Sequence, residues 1–573
     1  MSDPARMTYG DVLVVLRPTR SRDPNEILSR TRRRLGALYG EVLPNSSAFA
    51  RWDRSGTHVI AGVTRQPLLE PTGRTVWGTP VGAGGEATEA ELAAVTANPL
   101  AARALIGPWV LLEETDDGPL LVSGSDLVHT LVRASGPDGV AYATRGLAAL
   151  RVTGAPLRIA LDRVPELIAF GYVMMDDELL DGTEVLPEAA VVRSDARGDR
   201  VSTYWSVEER FAPGPPTTAS HLRDVVTADL VRLADVPGAH VALTSGRDST
   251  LVVSCLRDAG IVLPALTMGY EGFPDVMGAR AVAAAWGTDH RLLTPAASGS
   301  PDLARAVRSS AWTEGLEMGW NLVGGGMTWE GPDDVTWLGG NGGEIGRATY
   351  GKGRRHPAPD DELVLKTLIL ESTPPYWRRP RRVLEPRVRL ALDSTKEAGR
   401  AGWDMLDVVY ARGWMRKWLL RSLPRPEVRG MLTGYTSPAV VGALLNIPLA
   451  DRVSKSVFDE AIALSDVNLH RIAQQAVPPR LPSGAARVSR LRRLTPSTVG
   501  PAVRRVRPST APGPLGETLA ALPRDLVCHE AMGRSWWRET VHVARHSPRA
   551  RNMLWHAVAV EALAMWLREA DVS

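Results

Sequence analysis

Val241-Ala-Leu-Thr-Ser-Gly-Arg-Asp-Ser-Thr250 is the stretch that decides how the rest of the chain is read. An apolar run of strand character ends in small, hydroxyl-bearing and glycine residues and passes straight into a helical pattern. Such a turn aims unpaired backbone N–H groups and the positive end of a helix dipole at one spot, which is how phosphate is bound. Asp248 places a carboxylate beside that anion, an arrangement that makes sense with Mg²⁺ between them. Taken alone, the same letters also suit a plain strand-to-helix turn with Ser245 or Asp248 as its cap. A second cluster tips the balance: Trp337-Leu-Gly-Gly-Asn-Gly-Gly-Glu-Ile-Gly346 follows another predicted strand and carries one carboxylate, Glu344. In an open parallel sheet, ligands sit at the C-terminal ends of the strands, so both loops can meet over one site. There Asp248 and Glu344 would grip the metal of a triphosphate.

Working outward, apolar strands and amphipathic helices alternate: strand 241–243, helix 250–259, strand 262–267, helix 276–286, strand 335–338. That alternation predicts βαβ units and a parallel sheet covered on both faces. From about residue 363 the pattern turns helical and rich in tryptophan, and a final helix is expected over 550–568. Between them, 478–516 is dense in Pro, Ser and Arg, holds no acidic residue, and reads as a long exposed loop. Upstream, short strands are predicted at 11–16, 58–63, 110–113, 120–123, 140–143 and 191–193, a β-rich layer with few helices. Phe211-Ala-Pro-Gly-Pro-Pro-Thr-Thr218 disfavours regular structure and is the expected linker. The chain is therefore expected to divide into residues 1–205, a linker at 206–218 and a larger unit at 219–573.

Length and composition agree with two or more cores. The chain has 573 residues, 44% apolar and 23% charged, ordinary values for a folded globular protein. The 67 Lys+Arg against 64 Asp+Glu leave +3, too balanced to imply a nucleic-acid or membrane partner. Five of the 67 basic residues are lysines (Lys352, Lys366, Lys396, Lys417, Lys455), a bias attributable to codon composition. Two cysteines, Cys255 and Cys528, build no disulfide framework and lack partners at metal-ligand spacing, which fits a reducing, cytoplasmic setting. No long apolar window and no basic-then-apolar N-terminus occur, so neither secretion nor a membrane span is expected.

The two loops resemble the pyrophosphate loop (Ser-Gly-Gly-x-Asp-Ser) and the Gly-Glu-Gly-Ser-Asp loop of the asparagine synthetase family. Between them, Thr267-Met-Gly-Tyr-Glu-Gly272 is similar to the family's adenine-contacting strand end. Asp275 with Ala279-Arg280, and then Gly287-Thr-Asp-His290, resemble the helix that follows it. Upstream, 120–126, 141–150, Leu167-Ile-Ala-Phe-Gly171, Leu186-Pro187 and Tyr204-Trp205 resemble the family's glutaminase-like domain down to its exit. The resemblance implies an α+β N-terminal domain of Ntn type, a β-sandwich, followed by an α/β parallel-sheet ATP-pyrophosphatase-type synthetase domain with a helical C-terminal part. It also implies ATP and Mg²⁺. The nucleotide would contact Thr244, Ser245, Gly246, Arg247, Ser249, Thr250, Thr267, Met268, Gly269, Gly340, Gly342 and Gly343, and the metal would be held by Asp248 and Glu344.

Four departures from that family carry functional information. Family glutaminases use a cysteine at position two; here it is Ser2, with the first strand expected about nine residues in, so the N-terminal domain is expected to be a remnant that makes no ammonia. Alignment puts Glu344 at the metal-binding aspartate, which keeps the charge. It puts Asn341 where asparagine synthetases carry glutamate and β-lactam synthetases tyrosine; an amide accepts no proton near pH 7, so a base would come from Tyr410, Asp407 or His470, or water would take the proton. The phosphate loop reads Thr244-Ser245-Gly246 in place of Ser-Gly-Gly, so a Cβ stands where the family has bare backbone. Finally, the family uses a late lysine against charge on the adenylate, and no lysine follows Lys455. Substitutes are Arg480, Arg487, Arg490 or Arg492, then Lys417 and Lys455; Arg487 is the expected choice.

Forming an amide from a carboxylate in water is uphill, and an acyl-adenylate gives the carboxylate a good leaving group. With no glutaminase, the amine is expected to arrive on the substrate, as in the family's β-lactam synthetases and lasso-peptide macrolactam synthetases. Leu406-Asp-Val-Val-Tyr410, Arg416-Lys-Trp418, Asn468-Leu-His-Arg471 and Leu554-Trp-His-Ala-Val-Ala-Val-Glu561 with Trp566 are similar to the latter, although Trp414, Trp418 and Trp555 also read as packing residues. The expected activity is adenylation of an Asp or Glu side chain of a precursor peptide and attack by its N-terminal amine. A leader-binding protein and a leader peptidase would be partners. Ammonia-dependent asparagine synthesis, a β-lactam-synthetase-like reaction and a non-catalytic scaffold are the alternatives.

Overall fold

Val12–Pro18 is apolar at five consecutive positions because both of its faces are buried. Leu13 and Val15 point into one core, and Val12, Val14 and Leu16 into another. The computed structural model in which this is seen describes residues 5–8, 10–19, 23–40, 42–43, 45–65, 73–128, 131–195, 197–294, 303–316, 335–350, 359–373, 377–417, 430–477, 515, 519, 521–523, 525–544 and 547–572. Ser2, Trp418, Arg480, Arg487, Arg490, Arg492 and nearly all of the 478–516 stretch lie outside the described residues.

Two six-stranded sheets build the N-terminal part. One runs Thr183–Val185, Val132–Gly136, Gly139–Ala143, Val12–Pro18, Val59–Thr64, Ser47–Trp52; the other runs Ala5–Met7, Arg74–Gly78, Trp109–Thr115, Gly118–Ser123, Ala190–Asp195, Gly198–Thr203. All pairings are antiparallel except that of Ala5–Met7 with Arg74–Gly78. Leu13, Val15 and Ile60 of the first sheet share a core with Val110, Leu112 and Leu121 of the second. The six strands expected here are present, but the layer carries more helix than expected. Pro24–Tyr39 and Gly146–Thr153 cover the outer face of the first sheet, and Glu89–Ala97 covers that of the second. The first of these helices had a readable start signal, with Pro24 in its first turn and Asp23 accepting from the Asn25 N–H at 2.9 Å. Ala5–Met7 also begins earlier than the expected first strand.

The expected linker is partly structured. Ser206 caps a short helix, Val207–Phe211, and the Phe211 ring is fully buried. Beyond it, the N–H groups of Gly214 and Thr217 donate at 3.0 Å to the Asn446 side chain and backbone oxygens. One apolar core runs from Leu13 and Val110 through Phe211 and helix Ala219–Ala234 to Val241 and Leu338, so the two halves share a core rather than each closing its own.

The second half centres on a parallel sheet of strands β1 (Ala239–Ala242), β2 (Ala265–Met268), β3 (His290–Leu293), β4 (Thr336–Gly339) and β5 (Gly430–Thr433). Their spatial order is β3-β2-β1-β4-β5, with every neighbour parallel. Helix α1 (Arg247–Asp258) follows β1 and α2 (Pro274–Trp286) follows β2. β3 and β5 were not anticipated, although at four residues each they are as long as the three that were. The C-terminal part is helical as expected, and its last helix is Pro548–Val572 rather than 550–568. Among the described residues no helix is long and apolar enough to cross a membrane.

Candidate functional site

Strand order reverses between β1 and β4, because the chain leaves β1 toward β2 on one side and returns through β4 on the other. Loops leaving adjacent strands in opposite directions open a crevice, which is where open α/β sheets bind ligands. Both glycine loops predicted from the sequence lie at this point.

The first loop is held by its own hydroxyls. Thr244 Oγ1 accepts from the Gly246 N–H at 3.0 Å and lies 3.0 Å from Ser249 Oγ, which itself donates to the Thr244 and Gly246 carbonyls at 3.2 Å. Thr250 Oγ1 donates to the Gly246 carbonyl at 2.7 Å. Gly246 occupies the N-cap position of α1 and supplies no side-chain cap, so the first-turn N–H groups are left for a ligand. The Cβ of Ser245 does not obstruct that face. It packs toward Gly278 of α2, where an added Cβ would come within 2.5 Å of it, and Ser245 Oγ donates to Asp275 at 2.7 Å. Arg247 is turned away from the loop and grips Asp459 through Nε and Nη2 at 2.6 and 3.2 Å.

The second loop lies directly on the first. A Cβ on Gly340 would stand 2.8 Å from the Ser249 nitrogen, and one on Gly343 2.5 Å from Asp248 Oδ1, so only glycine permits this approach. Gly342, at φ +105°, turns the loop so that its N–H donates to Glu344 Oε2 at 2.9 Å. Tyr435, just past β5, donates its hydroxyl to the Asp248 carbonyl at 2.9 Å and buckles the two loops together.

Asp248 and Glu344 are thus brought to one place, and Arg347 stands between them. Its Nη2 bonds Asp248 Oδ2 and lies 3.6 Å from Glu344 Oε1. Asp248 Oδ1 is buried and has no partner among the described residues. Burial, and next the charge of Glu344, push the Asp248 carboxyl up to about 7, while Arg347, Arg247 and Lys455 pull the other way. Among the described residues no group of three or more His, Cys, Asp or Glu side chains could hold a metal ion. A metal caged by protein alone does not fit; one that shares two carboxylates with a phosphate does, because Mg²⁺ is usually held by one or two carboxylates plus phosphate oxygens.

Beside Glu344 opens a cavity of about 410 Å³, lined by Phe170, Asn341, Glu344, Tyr350, Tyr410, Trp414 and Met415. Phe170 comes from the N-terminal half, at the end of helix Val164–Phe170. Gly171 follows at φ +83°, and a Cβ there would lie 2.6 Å from the Trp414 ring. Trp414 and Met415 sit in a single π-turn, Ala411–Met415, a feature frequent at functional sites. Tyr410 meets Tyr350 edge-on at 5.9 Å.

Other expected roles change. The Thr267 hydroxyl is engaged within the sheet: it donates to the Leu243 carbonyl at 2.7 Å and lies 2.7 Å from His290 Nε2. Met268 closes the same strand, and the Gly269 N–H is tied to the Leu293 carbonyl at 3.1 Å. Burial, then Glu344 and Tyr350, hold the Tyr410 hydroxyl well above its ordinary range, which disfavours it as a base. Asp407 is buried against Arg452 and is unavailable as well. His470 lies 2.7 Å from the Gln474 side-chain nitrogen; burial, then the charge of Arg247, lower its pKa. Lys417 is fully buried and donates to the Val173 carbonyl at 2.7 Å and to that of Asp177, which removes it as the late lysine. Lys455 acts electrostatically on both Asp248 and His470, which puts it on the phosphate-loop side. Arg347, Tyr435 and Asp459 were missed. Only Arg347 had a local signal, its three-residue spacing from Glu344; the other two act across 187 and 212 residues.

The sequence matches no protein-family profile and no curated protein. Among solved structures, the chain is similar to the allosteric regulatory enzyme of purine biosynthesis, at 10% identity and a TM-score of 0.23, over 51% of this chain and 82% of that one.

Proposed function

We propose that the protein is an ATP- and Mg²⁺-dependent, AMP-forming amide-bond ligase, and that its substrate is a peptide whose side-chain carboxylate is adenylated and then attacked by the peptide's own N-terminal amine. The observation that carries this reading is the meeting of the two glycine loops at the reversal of the parallel sheet, with Asp248 and Glu344 both facing Arg347 there. In such a site the uncapped first turn of α1 binds the phosphates that leave. Asp248 and Glu344 would hold Mg²⁺, which supplies charge neutralisation along the polyphosphate.

The neighbouring cavity favours a peptide over free aspartate. An amino acid would need a cation for its α-carboxylate, and among the described residues the cavity lining supplies none: its polar members are Asn341, Glu344 and two tyrosines. Its aromatic walls suit peptide side chains, which stack and bury apolar area there. With Tyr410 protonated and Asp407 paired, the attacking amine would lose its proton to His470 or to water. The N-terminal half would contribute a wall, Phe170, rather than ammonia.

Incubation with ATP, Mg²⁺ and a precursor peptide is expected to yield AMP and a product lighter by one water. Robust asparagine and AMP from aspartate and ammonium would sink the peptide reading, and no AMP with either substrate would favour a non-catalytic scaffold.

A further inference from the structure

The guanidinium of Arg347 occupies the position that a cation would take between Asp248 and Glu344. It reaches there from the 3₁₀ turn Gly343–Arg347, which ends at Ala348 in a left-handed conformation, φ +46°. The cluster it closes is not satisfied. Asp248 Oδ1 has no donor and Arg347 Nε has no acceptor among the described residues, and both atoms are buried. A buried carboxylate oxygen and a buried guanidinium N–H left over in one cluster call for a ligand that brings both a cation and an anion. A metal–polyphosphate is such a ligand.

Lys455 also acts electrostatically on Asp248, but Arg347 bonds that carboxylate directly, and the other cations are differently placed. Arg247 is held by Asp459 through two bonds, and Lys417 lies elsewhere under backbone carbonyls. Arg347 is 19% exposed and has a carboxylate partner, Glu344, that is 36% exposed, so its contacts can be exchanged without opening the core.

We infer that Arg347 is a phosphate-binding residue that exchanges partners: when Mg²⁺ takes Asp248 and Glu344, the guanidinium swings onto the polyphosphate and the adenylate. It thereby supplies the positive charge that the sequence lacks as a late lysine. This inference rests on the nucleotide reading of the site above.

Calorimetric titration of the full-length protein with Mg·ATP tests it, using wild type, Arg347→Gln and Asp248→Asn, each checked by thermal unfolding. Loss of a charge-assisted contact predicts that Arg347→Gln binds Mg·ATP about tenfold more weakly. Any loss of about threefold or more supports the inference, and a smaller loss or a gain overturns it, since an arginine that merely masks the carboxylates would release affinity when removed. Arg347→Lys keeps the charge and is expected to recover part of the loss. Should Arg347→Gln fail to fold, weakening of about threefold or more in Arg347→Lys supports the exchange, and wild-type affinity in it overturns it. If wild type binds and Asp248→Asn is weakened while Arg347→Gln is not, the inference alone falls. If wild type binds no Mg·ATP, the nucleotide reading falls and takes the inference with it.

Discussion

Two clusters in the second half have almost the same composition and opposite characters. Asp404, Asp407 and Arg452 meet where helix Asp404–Tyr410 packs on helix Leu449–Ser454, with Arg452 1% and Asp407 2% exposed. Asp248, Glu344 and Arg347 meet where two loops leave adjacent strands, beside a cavity and with the arginine 19% exposed. The first is shut away around its arginine and Asp407, although Asp404 is itself 36% exposed and lies 3.8 Å from Arg400 as well. In the second, the arginine is a partner that a ligand can replace. An acid–arginine–acid set therefore says little by its letters; its place relative to the sheet reversal sets its role.

The comparison can be broken at either end. Arg452→Met should be the most damaging change, because it takes from the buried Asp407 its arginine partner; a loss of about 3–5 kcal/mol is expected in denaturant unfolding. A loss under about 1 kcal/mol would mean that the closed cluster is not structural. Asp248→Asn should do the reverse. AMP formation is expected to drop about 100-fold or more, while stability stays level or rises, since the charged carboxyl is already disfavoured by burial and by Glu344. An unfolding midpoint that falls as far as that of Arg452→Met would erase the distinction.

A lone half-buried histidine supplies the intermediate case. A Cβ on Gly171 would lie 3.3 Å from the His556 ring, whose Nδ1 has no partner among the described residues, and burial lowers its pKa to about 4 from an ordinary 6.5. The neutral ring suits the fold, so its contribution is full above pH 6.5 and is lost as pH falls from 6.5 toward 4. After allowance for solvent, about 1–2 kcal/mol should disappear across that window. His556→Gln should flatten that part of the stability–pH profile; an unchanged slope would mean that the ring is solvated. The smallest effect belongs to Tyr410→Phe. With a hydroxyl that keeps its proton, turnover should fall by less than about tenfold, and a larger loss with an altered pH–rate profile would restore Tyr410 as the base.

Much of the fold was legible in the residues. The N-terminal strands, the βαβ alternation and both glycine loops announce themselves because each depends on spacing within a few residues. Strand β5 did not: Gly430–Thr433 takes its place in the sheet from pairing with β4, about ninety residues away. Within the site, Asp248 and Glu344 were readable from their loops. The partners that engage Asp407 and Lys417 lie far along the chain: Arg452 for the first, the Val173 and Asp177 carbonyls for the second.

By itself, then, the sequence determined where backbone must turn tightly, where helices start and which two carboxylates face the sheet reversal. Glycine, strand period and helix capping act over short distances that a linear reading covers. Only the tertiary structure decided that Arg347 bridges those carboxylates, that Ser245 turns its Cβ toward α2, and that Phe170 walls the cavity from the other half of the molecule. Those outcomes depend on which distant surfaces the shared core presses together, and burial then sets which charges are locked and which stay open to exchange.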